Sequence, residues 1–125
     1  MTALPTIVSQ AWEQREGPIV LTTVSATGVP NAIYATCVSK YDEATLLIAD
    51  NYFNKTKANI LEGSHGALLF ITKEGKAYQI KGALEYYTEG PLFENMKSWN
   101  PTRLPGHAVA ALRVEQVFAG REQIA

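Results

Sequence analysis

Residues 66–87 read GALLFITKEGKAYQIKGALEYY. Two runs rich in apolar and β-forming residues, 66–72 and 77–87, flank the polar turn Lys73-Glu74-Gly75-Lys76, and the second alternates over much of its length. This pattern predicts a long β-hairpin, the longest in the chain. Upstream, Ala58, Ile60 and Leu61 recur near helical spacing, and Gly63 stands where a C-cap glycine is favoured, so a helix of about two turns is expected over 54–63. Before it lies the short, nearly all-apolar strand Thr45-Leu46-Leu47-Ile48-Ala49, reached through the polar connection KYDEA at 40–44. The β-rich runs 18–24 and 30–38 form a second hairpin around Ser25-Ala26-Thr27-Gly28.

At the N-terminal side, Leu4, Ile7, Val8, Ala11 and Trp12 mark one helical face, and the polar run 13–17 ends it. Downstream of the long hairpin, Thr88 is the expected N-cap of a third helix. Glu89 falls in its first turn, and Leu92, Phe93, Met96 and Trp99 form its packing stripe. After the loop 100–106, residues 108–118 are the last strand. Consecutive hairpins with helices at only three places predict a mainly β fold, a six-stranded antiparallel barrel with about three short helices. Parallel strands would need a helical crossover after nearly every strand.

The 125 residues suit a single domain, 1–125, and the 46% hydrophobic content is enough for one core. No apolar run reaches the length of about 18 residues that a membrane helix needs. Glu13, Arg15 and Glu16 fall where a secretory signal would be apolar, so a soluble, cytoplasmic protein is expected, with no membrane partner. The net charge is −1, and the eleven basic residues are scattered, which argues against nucleic acid as a partner. Cys37, the single cysteine, excludes an internal disulfide or a CxxC pair and reads as a small core residue of its strand. His65 and His107 carry neither a nucleophile nor a metal motif and read as polar strand ends, so no catalytic side chain and no metal ligand is assigned. Tyr78, Tyr86 and Tyr87 read as sheet surface or interface.

The chemistry concentrates in Ile48-Ala49-Asp50-Asn51-Tyr52-Phe53-Asn54-Lys55-Thr56-Lys57-Ala58-Asn59-Ile60, where an apolar strand turns directly into a helix start. Unsatisfied backbone N–H groups there favour an anion, to which Lys55 adds a charge and Thr56 a hydroxyl. The same residues also fit a plain exposed helix capped by Asn54 and solvated by Lys55 and Lys57. No glycine-rich phosphate loop is present.

The order of these segments resembles the FMN-binding split barrels related to pyridoxamine phosphate oxidase, most closely the short flavin-binding proteins. The resemblance is carried by the N-terminal helix, the strand at 19–24, the turn at Gly28, the strand at 31–36, LIADNYFNKTKANI and QIKGALEYYTEGPLF. It implies a split barrel with FMN as cofactor, its phosphate at Lys55 and Thr56. The isoalloxazine ring would lie along Ile33, Tyr34 and Ala35 and against Ile48, Ala49 and Asp50, largely through backbone groups. It also implies a homodimer with the flavin at the subunit interface, where Trp99, the loop to His107 and residues 123–125 are candidates to cover the partner's ring. The flavin-facing strand NAIYATCVS lacks the arginines of the full oxidases, which argues against oxidation of pyridoxamine phosphate. Electron transfer, or flavin-dependent oxidoreduction of a small substrate, is the expected role. A split barrel for haem or a deazaflavin, or a cofactor-free binding module, is the alternative.

Overall fold

The computed structural model describes residues 2–125. The elements run α1 (Thr6–Glu13), β1 (Ile19–Val24), β2 (Pro30–Ala35), β3 (Val38–Asp42), β4 (Thr45–Asp50) and α2 (Lys55–Leu61). They continue with β5 (His65–Ile71), β6 (Ala77–Tyr87), α3 (Pro91–Trp99), β7 (Ala108–Ala119) and β8 (Glu122–Gln123). The antiparallel ladders join in the order β2-β1-β5-β6-β7-β4-β3, with the short β8 folded back on β7.

The expected strand at 30–38 is two strands, β2 and β3, and they occupy opposite edges of the sheet. Only Thr36 and Cys37 separate them. Two intervening residues let the Cα atoms of Ala35 and Val38 stand at most about 11 Å apart, whereas a flat sheet of seven strands would hold its edges about 29 Å apart. The sheet must therefore curl until its two edges meet at this corner. No ladder joins β2 to β3 among the described residues, and the barrel is split there. The mainly β, antiparallel split barrel with three helices is thus as expected, with one more full strand than counted from sequence.

The barrel interior holds Leu21, Leu46, Ile48, Leu68, Ile80 and Leu112, all fully buried. Val8 and Trp12 of α1 close one end, where Trp12 meets Phe70 edge-on at 5.2 Å and Phe70 stacks on Tyr78 at 5.5 Å. Tyr78 is therefore core and not sheet surface. A smaller cluster lies on the outer face, where Met96 of α3 packs on Leu47, Ala49, Val109 and Ala111. This second layer explains why every residue of β4 is buried. Alternate side chains of a strand point to opposite faces, and on β4 both faces are covered.

Two local details correct the expected helix ends. The third helix begins at Pro91 after Gly90, whose φ of 93° turns the chain, so Thr88 is not its cap. Proline's fixed φ suits a first helical position. Gly63, at φ 94°, ends α2 as expected: its N–H donates to the Ile60 carbonyl at 2.9 Å and that of Ser64 to Asn59 at 3.0 Å. Among the described residues, no helix is long and apolar enough to cross a membrane.

Candidate functional site

The split in the barrel opens into a cleft of about 790 Å³. One wall is β2 and the corner that follows, from Asn31 and Ile33 to Ser39. A second is the turn from β4 into α2, from Asn51 to Thr56. Trp99, Pro101, Arg103 and Leu104 supply a third. Ile33, Tyr34, Ala35, Ala49, Lys55 and Thr56 all line this one space. Ile48 and Asp50 do not: Ile48 points into the barrel core and Asp50 lies buried behind the turn. Strand alternation separates them from Ala49, which faces the other way.

Asp50 holds the turn in shape. One carboxylate oxygen accepts the Phe53 N–H at 2.8 Å and the other accepts the Tyr86 hydroxyl. Burial, together with the hydrogen bond to Asp50 and the charge of Asp50, pushes the Tyr86 phenol well above the ordinary tyrosine range. Tyr86 is thus half-buried and structural, and Lys57 of α2 lies 5.7 Å over its ring.

Asn54 makes no side-chain cap bond to α2. The backbone N–H groups of Lys55, Thr56 and Lys57 have no acceptor among the described residues, which leaves them open to an anion. Lys55 is exposed and its ammonium has no partner among the described residues. Thr56 is only 1% exposed. Its hydroxyl oxygen accepts the Asn31 amide at 3.0 Å, so its own proton is free to donate. The Thr23 hydroxyl accepts the amides of Asn31 and Asn59 at 3.2 and 3.0 Å, pinning β2 and α2 to β1.

Sequence reasoning did not single out Asn51, Asn100 or Arg103, although the last two fall in the loop from Trp99 to His107 that the resemblance marked as a candidate cover for the partner's ring. The two asparagines exchange amide hydrogen bonds at 3.1 and 2.9 Å, and Asn51 also accepts the Gly106 N–H at 2.9 Å. This buried pair fastens the 100–106 loop to the β4–α2 turn and so fixes the third wall. No local pattern links positions 49 residues apart. Cys37 is half-buried at the corner and lines the cleft; it is not a core strand residue. Its carbonyl accepts the Ala49 N–H at 2.9 Å. Residues 123–125 fold back on β7 of their own chain, with Ile124 donating to the Val117 carbonyl at 2.8 Å. Among the described residues, no group of acidic, His or Cys side chains could hold a metal ion.

The class is thus a split barrel whose open corner forms a cleft lined by Lys55, which has no ion-pair partner among the described residues. The family model for pyridoxamine 5'-phosphate oxidase matches residues 8–119, and the chain belongs to that family. An uncharacterized protein of Methanocaldococcus jannaschii is 36% identical over 106 residues, covering 80% of this chain and 70% of that one. HupZ of Group A Streptococcus superposes with a TM-score of 0.80 at 25% identity, over 92% of this chain and 98% of its own. A Lactobacillus delbrueckii protein has a TM-score of 0.79 at 21% identity, over 94% of each chain.

More distant structures share the fold alone. They include an FMN-binding protein of Syntrophomonas wolfei (TM-score 0.71, 19% identity), an F420 reductase (0.65, 15%) and the haem storage protein HutZ of Vibrio cholerae (0.69, 16%).

Proposed function

We propose that this chain is an FMN-binding flavoprotein acting in electron transfer or in the oxidoreduction of a small substrate, and that it works as a homodimer. The observation that carries the reading is that Lys55 and Thr56, with three open backbone N–H groups, line the same cleft as β2. The phosphate of FMN would sit there, held by the ammonium, the Thr56 hydroxyl and the N–H groups. The ring would run along Ile33, Tyr34 and Ala35 and past the end of β4 at Ile48, Ala49 and Asp50. β2 is an edge strand, so every second residue turns its N–H and C=O away from β1. Those groups match the donors and acceptors on a flavin's edge, and side chains such as Ile48 need not reach it.

Bound flavin supplies the electron chemistry, and the protein binds, orients and shields it. No histidine lines the cleft among the described residues, which favours flavin over haem, for which a histidine is a common ligand. The outer sheet face supports a dimer: Tyr34, Leu69 and Ile71 are 78, 43 and 47% exposed, and Val20 pairs with both Tyr34 and Leu69. Apolar area of this kind on a sheet marks a docking face. Tyr34 belongs to that face and to the cleft, so a second copy would cover the cleft's rim.

The deciding experiment is purification without added flavin, followed by loading with FMN and exhaustive dialysis. A yellow protein that retains about one FMN per chain and sediments as a dimer is the expected result. A colourless protein that also fails to hold added FMN ends the flavin reading.

A further inference from the structure

Charge in the cleft is one-sided. Lys55 and Arg103 line it and, among the described residues, no aspartate or glutamate does, in a chain with 12 acidic and 11 basic residues. Asp50, the carboxylate just before the turn, is 2% exposed and already engaged by Phe53 and Tyr86. If Lys55 holds the FMN phosphate, Arg103 is a second cation in the same space with no assigned role. Its side chain is exposed and has neither a hydrogen-bond nor an ion-pair partner among the described residues.

The loop that carries Arg103 is held firmly. Asn100 is bonded to Asn51, Lys97 Nζ donates to the carbonyls of Pro105 and Gly106 at 3.3 Å each, and Pro101 and Pro105 restrict the backbone. Four aromatic side chains line the cleft with it: Tyr34, Tyr52, Phe53 and Trp99. A guanidinium presents a planar fork that matches a carboxylate with two parallel hydrogen bonds. Aromatic faces in the same cleft favour a flat ligand.

The geometry points to Arg103 as the residue that binds the carboxylate of a small planar anion, the molecule that meets the flavin in this cleft. This inference rests on the flavin reading for its biological sense. The anion site itself can be tested with or without cofactor.

Benzoate and its neutral isostere benzamide serve as probes. Each is titrated into FMN-loaded protein, following the visible flavin spectrum, and into flavin-free protein, following the side-chain N–H signals of the two tryptophans by NMR. Wild-type protein should bind benzoate at least about tenfold more tightly than benzamide. Arg103→Gln should erase that preference while leaving FMN affinity within about twofold. Equal binding of the two probes, or a preference that survives in R103Q, overturns the proposal. A loss of FMN affinity in R103Q also overturns it and assigns Arg103 to the cofactor phosphate. If FMN is never retained, the flavin reading fails by itself, and a benzoate preference lost in flavin-free R103Q still establishes the anion site.

Discussion

Lys55→Ala is expected to weaken FMN binding by about 10- to 100-fold and to change riboflavin binding by less than about twofold. A hydrogen bond to a charged group contributes about 1.5–3 kcal/mol, which corresponds to that range. The two ligands differ only in the phosphate, which carries a charge of about −1.5 to −2 at pH 7. The site is open on one side, so added salt should narrow the difference between wild type and variant. Isothermal titration with both ligands, at low and at high salt, measures all of this directly. Lys55 has no ion-pair partner among the described residues, so the substitution should leave stability within about 0.5 kcal/mol. Equal losses for FMN and riboflavin would remove Lys55 from the phosphate site.

Gly82→Ala is expected to lower stability by about 3 kcal/mol or more, a large part of the margin of a small domain. A Cβ built at Gly82 would stand 1.7 Å from the Arg113 carbonyl oxygen and 2.8 Å from its carbon. The β6–β7 register shifts between Lys81 and Gly82, and the bulge brings the two backbones to this distance. The neighbour is main chain and cannot rotate away, so the strands must part. They are the centre of the sheet, and a drop in Tm of about 10 °C or more should follow. Thermal unfolding followed by circular dichroism tests it; a variant melting with the wild type would refute the close approach.

The features that were legible in the sequence are those with a local cause. Alternation over 77–87, the turn at 73–76 and the glycine after 54–62 each act within a few residues, and each element formed as read. What stayed hidden depends on contacts between distant positions. The break of 30–38 into β2 and β3 is set by which edges of the sheet those residues meet, and their composition is β-like throughout. Likewise, Gly82 interrupts an alternating strand visibly, but the carbonyl that requires it belongs to Arg113.

The site divides in the same way. Lys55 and Thr56 stand out because a strand runs straight into a helix start, and the structure places both on the cleft. Ile48, Ala49 and Asp50 are consecutive in sequence, yet only Ala49 lines it, because neighbours on a strand face opposite ways. Asn51, Asn100 and Arg103 come from loops whose meeting depends on the completed barrel. Their residue types are ordinary for loops, and nothing in their spacing distinguishes them.

The two-residue corner at Thr36 and Cys37 makes the spacing of β2 and β3, at one wall of the cleft, a matter of covalent geometry. That wall, from Asn31 to Ser39, is built from the two edges of one sheet, tethered at a separation the peptide bond limits. A single proteolytic cut between Thr36 and Cys37 would leave every ladder of the sheet in place. The distance between the two sheet edges would then be set by packing alone, and the existing split could widen at the corner.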